Sequence, residues 1–179
     1  MTLSQILDRP GLLFALLAGA SAMMLWAAFA FQYFGGLEPC VLCIWQRYPY
    51  GAVIILGLLG GGMARGAKPP PGALIAVMGL IALALLTDAA IAGFHVGVEQ
   101  QWWQGTQACV GATGADSIEA LRTQLLALKV VRCDAVAWSL GGVSMAGYNM
   151  AAALGLGTVA GLAARRMARH GAGEGGSNG

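Results

Sequence analysis

Four cysteines are the residues best suited to chemistry in this 179-residue sequence, and they form two pairs with different spacing. Cys40 and Cys43 enclose two residues in Pro39-Cys40-Val41-Leu42-Cys43, whereas Cys109 and Cys133 stand far apart. A bridge across two residues removes little chain entropy and needs tight geometry, so such a pair is more often redox-active than structural. The second pair suits a staple better: it would close a loop of about 25 residues, worth roughly 3–4 kcal/mol on chain-entropy grounds. A four-thiolate zinc site is a third reading, but the wide second spacing is wrong for it and no metal is expected. On the residues alone, redox exchange, structural bridges and a metal site stay open, in that order.

Arg47 follows Cys43 by four positions in Cys43-Ile44-Trp45-Gln46-Arg47, one helical turn further along. A thiolate near a helix N-terminus and a guanidinium is favoured over the thiol, which makes it a better leaving group. The plain alternative is an arginine anchoring a helix end at a membrane interface. Pro49 bears on the geometry: a helix beginning near Tyr48 would hold this proline in its first turn and leave Arg47 in a turn.

The elements that position these residues follow from composition. Hydrophobic residues make up 58% and charged residues 10%, where about 25% charged is usual for a globular domain. So little charge cannot cover a soluble surface, and a net charge of +2 leaves no footprint for nucleic acid. A soluble enzyme, a disordered chain and a nucleic-acid binder are excluded. Four apolar stretches, at about 12–34, 44–63, 72–94 and 138–163, each approach the ~20 residues that cross a bilayer as a helix. Ala28-Phe29-Ala30 resembles a signal cleavage site, but the first run is longer than a signal core and is read as a retained helix. The expected fold is an all-α membrane protein, a four-transmembrane-helix bundle over residues 1–170, with a disordered Gly-rich tail at 171–179.

Basic residues orient the bundle. Arg9, Arg65, Lys68, Arg165, Arg166 and Arg169 share one side of a four-helix topology, against Arg47, Arg122, Lys129 and Arg132 on the other. Both termini are therefore expected inside and both remaining loops, about 35–43 and 95–137, outside. Each outer loop then carries one cysteine pair, in a space where disulfides can form. Within the second loop Ile118, Leu121, Leu125 and Leu128 recur at steps of three and four, the pattern of a short amphipathic helix lying on the membrane surface.

These residues resemble a known family. Glu38-Pro39-Cys40-Val41-Leu42-Cys43 through Arg47 looks like the first periplasmic loop of the DsbB family of disulfide bond formation proteins. So do Cys133-Asp134-Ala135-Val136-Ala137-Trp138 and the run Ser144-Met145-Ala146-Gly147-Tyr148-Asn149. The resemblance covers nearly the whole chain except the tail. It implies a bacterial inner-membrane, quinone-dependent protein-disulfide oxidoreductase, with periplasmic cysteine loops and cytoplasmic termini. Its partner would be a periplasmic DsbA-like thioredoxin-fold protein and its cofactor a membrane quinone, ubiquinone or menaquinone. It also implies that Cys109 receives the partner's thiolate, that Cys133 exchanges with Cys40, and that Cys43 is released facing the quinone. Arg47 would steady that thiolate and the quinone oxygen, and His95, in Gly93-Phe94-His95-Val96, would hydrogen-bond the ring. A quinone is needed because DsbA sits near −120 mV, about 180 mV above an ordinary structural disulfide, or about 8 kcal/mol for two electrons. A vitamin K epoxide reductase-like protein is the nearest enzyme alternative, but such proteins typically add a late C-x-x-C pair that is absent here. A non-catalytic tetraspan protein with structural disulfides is the alternative from another class.

Other residues carry smaller expectations. Gly141-Gly142 stands where bulkier apolar residues are expected in the family, and would loosen the start of the fourth helix. Asp88, inside the third stretch and seven residues before His95, is either a neutral structural acid or part of a proton route. Trp102 and Trp103 read as interface anchors, and Gly57, Gly60, Gly61 and Ala64 as a close-packing face.

Overall fold

Helices dominate because long apolar runs leave the backbone no hydrogen-bond partner but itself. The computed structural model describes residues 5, 7–66, 71–106, 109, 118 and 131–175, the last five as backbone alone. Helix α1 spans Pro10–Tyr33, with a proline at its start, where a missing N–H costs nothing. Helices α2 (Val41–Trp45) and α3 (Arg47–Ala64) follow, then α4 (Pro71–Glu99), strands β1 (Ser139–Leu140) and β2 (Val143–Ser144), and α5 (Met145–Gly175). The segments Pro10–Tyr33, Val41–Ala64 and Pro71–Glu99 are long and apolar enough to cross a membrane. Helix α5 is long as well, but its first turn holds Tyr148 and Asn149, and glycine and alanine replace much of the leucine found in α4.

Two boundaries differ from expectation for local reasons. The second apolar stretch is not one helix: Gln46 separates α2 from α3. Pro49 has no N–H to give the carbonyl of Trp45, so the helix restarts with the proline in the first turn of α3. The fourth stretch begins with a hairpin, not a helix. Ser139 pairs with Ser144 and Leu140 with Val143, and Gly141 and Gly142 both take positive φ, +56° and +80°. A two-residue loop with both residues left-handed matches the twist of the flanking strands and suits a Gly-Gly pair. Helix α5 therefore starts at Met145, and its backbone continues through residue 175, into the stretch expected to be a disordered tail. The expected amphipathic helix in the second loop lies, Ile118 apart, outside the described residues.

Helix α1 packs on α3, α3 on α4, and α4 on α5. Small residues set the first contact: a Cβ on Gly57 would lie 2.8 Å from Ala18 Cβ and 3.0 Å from the Phe14 carbonyl oxygen, and one on Gly60 would enter the Phe14 ring. Close approach lets dispersion hold helices together where lipid removes the hydrophobic drive. Phe14, Tyr50, Val53, Met78, Leu85 and Ala160 belong to the resulting core, while Trp26, Leu58 and Leu83 face outward. Asp8, before α1, comes within 4.0 Å of Arg166 in α5, so those two ends lie on the same side of the bundle. A second buried cluster, containing Cys40, Leu42, Val98, Cys109 and Cys133, lies apart from this core.

A candidate thiol–disulfide site

Local backbone geometry places the first pair. Cys40 caps α2, its sulfur accepting the Cys43 backbone N–H at 3.3 Å. One turn on, the same helix brings the Cys43 sulfur to 3.0 Å from that of Cys40, with the Cys40 S–H as donor. That hydrogen bond, and then burial, push the Cys40 thiol up to about 12 from its ordinary 9.0.

The second pair closes onto the first. Cys109 is buried, its N–H donating to the Thr106 carbonyl at 2.8 Å and its sulfur accepting from Thr106 Oγ1 at 3.4 Å. Cys133 is wholly buried and shares a cluster with Cys40 and Cys109. Burial raises its thiol pKa, as do hydrogen bonds with Cys109 and Cys40, while the Leu42 backbone opposes the shift. All four cysteines are free thiols. Beside Cys133, Arg132 donates to Asp134 at 2.8 Å on an exposed turn.

Helix α4 contributes His95. Its Nε2 lies 3.6 Å from the Cys40 sulfur and 3.9 Å from Glu99 Oε1, and its Nδ1 3.0 Å from Gln46 Nε2. Ser144, at the end of β2, donates to Glu99 and so ties the hairpin to this corner. Trp103 folds back over α4, its indole N–H donating to the Phe94 carbonyl at 3.0 Å. The space it fills exists only because residue 97 is glycine: a Cβ there would fall 1.9 Å from the indole. Trp102 remains exposed.

Arg47 is held by α1. It donates to Gln32 Oε1 at 2.7 Å and lies over the Phe29 ring at 4.7 Å, a cation–π distance. Its Nε is buried without a hydrogen-bond partner among the described residues. Cys40, Cys43, Arg47, His95, Phe31 and Trp138 are among the residues lining a cavity of about 420 Å³, a size and chemistry usual for a small-molecule site with few polar groups. The orphaned Nε, an apolar wall and a sulfur at the edge fit a flat apolar ring bearing carbonyl acceptors.

Neutral polar residues form part of the site without announcing themselves in the sequence. Gln32, Gln46, Tyr50 and Asn149 make hydrogen bonds at its wall. The signal available was a polar side chain in or beside an apolar stretch, which is costly unless partnered.

Membrane-length helices and four converging cysteines define a class: membrane proteins built around two cysteine pairs. A family model described as "Disulfide bond formation protein DsbB" matches residues 10–163, and the chain belongs to that family. It is 31% identical over 150 residues to Disulfide bond formation protein B of Azoarcus sp., covering 80% of this chain and 84% of that protein. It is 32% identical over 155 residues to Disulfide bond formation protein B 2 of Pseudomonas syringae pv. syringae, covering 84% of this chain and 85% of that one. No solved structure matches the chain at a significant level. Membership in the family implies disulfide oxidoreductase activity.

Proposed function

We propose that this chain reoxidises a DsbA-like periplasmic thiol oxidase and passes the electrons to a quinone in the bacterial inner membrane. The observation that carries the reading is the convergence of all four thiols at one corner, with Cys40 and Cys43 on the wall of the cavity. In this reading α5 is the fourth membrane span, the basic ends of α1 and α5 face the cytoplasm, and the cysteine corner faces the periplasm.

The exchange runs through the chain's own sulfurs. The partner's thiolate attacks Cys109 of a Cys109–Cys133 disulfide, forming a mixed disulfide and releasing Cys133. Cys133, already packed against Cys40, attacks Cys40 of a Cys40–Cys43 disulfide and releases Cys43. The partner's second thiol then displaces Cys109, which recovers Cys133 and frees Cys40. Two electrons and two protons have by then moved from the partner onto the Cys40–Cys43 pair. A bound quinone would supply the acceptor for both, with Arg47 holding one of its oxygens and His95, on the same wall, facing Cys40. The cavity walls would keep that ring beside Cys43 and away from water.

The test is a visible-absorbance titration of the purified protein with ubiquinone and with menaquinone. A thiolate–quinone charge-transfer band that disappears in Cys43→Ser is the expected result. Unchanged turnover in Cys43→Ser, with only a lowered melting temperature, would return the cysteines to a structural role.

A further inference from the structure

A partly buried chain of hydrogen bonds runs from the middle of α4 to the cysteines. Asp88 is wholly buried. Its Oδ2 accepts one proton of the Asn149 amide at 3.0 Å, and the other goes to Gln46 Oε1 at 2.7 Å. Tyr50 donates to Asn149 Oδ1 at 2.7 Å, fixing the amide from its opposite end. With its oxygen so engaged, Gln46 presents its amino group to His95 Nδ1 at 3.0 Å. An imidazole nitrogen facing a donor must offer its lone pair, so the neutral ring carries its proton on Nε2. That N–H faces the Cys40 sulfur at 3.6 Å.

We infer that Asp88 is a positioning residue for His95: through Asn149 and Gln46 it fixes the ring as the Nε2–H tautomer, a hydrogen-bond donor to the Cys40 sulfur. The chain of amides has no direction of its own, because each amide can turn over and reverse donor and acceptor. Asp88, when ionised, cannot: a carboxylate only accepts. Placed at one end, it dictates the polarity of every link, as an outer partner fixes the tautomer of a metal-bound histidine. The donor it produces meets Cys40 whenever that sulfur carries negative charge as an attacked or leaving group, where a charge-assisted bond is strongest. The catalytic value of this donor rests on the proposed sulfur exchange, but the tautomer does not, so the two can fail separately.

The experiment is nitrogen NMR of the full-length protein in nanodiscs with 15N-labelled histidine, with His170→Gln to leave His95 as the single signal. The wild type is expected to show the Nε2–H tautomer alone. Asp88→Asn, whose amide can turn over as the other links do, and Asp88→Leu, which removes the acceptor, each give a mixture with Nδ1–H appearing. Gln46→Glu, which replaces the donor facing Nδ1 with a carboxylate, moves a proton onto Nδ1. A pure Nε2–H signal in a folded Asp88→Leu protein overturns the inference. So does a pure Nε2–H signal in Asp88→Asn, and that variant decides alone if Asp88→Leu does not fold; a Gln46→Glu protein whose Nδ1 stays unprotonated overturns the link through Gln46.

Discussion

Cys133 lies against Cys40, so in the proposed exchange the sulfur that would cross from the second pair to the first already sits at its target. Two loops separated by two long helices meet there, where Cys133 is wholly buried in a cluster with Leu42 and Val98. Such packing replaces a search by a long loop with a local exchange, and proximity of this kind accounts for much of a reaction's barrier.

Removing Cys133 should therefore separate two activities. In Cys133→Ser, oxidation of a protein partner is expected to fall by more than about 100-fold, the scale seen when a reacting group is deleted. A small dithiol that reaches Cys40 and Cys43 directly should still reduce added quinone. Equal loss of both, with the helical content intact, would show that Cys133 is needed for the first pair itself.

Arg47 should act on quinone and not on the protein partner. Arg47→Leu is expected to raise the apparent KM for quinone about tenfold or more, the value of a hydrogen bond from a charged donor, while KM for the partner stays within about twofold. Because Gln32 and Phe29 hold the guanidinium, Gln32→Leu should shift the quinone KM in the same direction by less. Steady-state kinetics with each substrate varied in turn decides the matter.

Alkaline pH should destabilise the reduced protein through Cys40. Its thiol titrates near 12 in the fold against 9.0 ordinarily, so the native state holds this proton more tightly than the unfolded chain. The stability linked to it is complete below pH 9 and is lost as pH rises toward 12. Melting temperatures of the reduced protein should decline from about pH 9 upward. The decline should be shallower in Cys40→Ser, and identical slopes in the two proteins would contradict the assignment.

Two glycines in α3 should respond oppositely to one added methyl group. Gly57→Ala meets the Phe14 carbonyl and Ala18 and is expected to destabilise by about 1–3 kcal/mol, as overpacking does. Gly62 has nothing within 4 Å of its added Cβ, so Gly62→Ala should be neutral or stabilising by up to about 1 kcal/mol through helix propensity. Thermal unfolding in detergent reads both.

The cysteine pattern and the long apolar runs were legible because each leaves a signal in residue type and length. The break at Gln46 was half legible: Pro49 marked it, yet the stretch still read as one helix. Gly141-Gly142 reads in the sequence as a weak helix start, but a Gly-Gly pair between short apolar runs is also a hairpin turn. Asp88 and His95 stand seven residues apart in α4, but their connection runs through Asn149 in α5 and Gln46 between α2 and α3. No spacing rule within one segment reports that. Neutral amides are silent in a sequence because their meaning lies in the partner that three-dimensional packing supplies.

The interruption between α2 and α3 sets the sulfur pair apart from the long membrane helix. The short helix bearing Cys40 and Cys43 is coupled to the long one through one residue, Gln46, and not through a continuous ladder of backbone bonds. The sulfur pair thus rides on a turn and a half of chain that is set off from the shaft seated against Phe14.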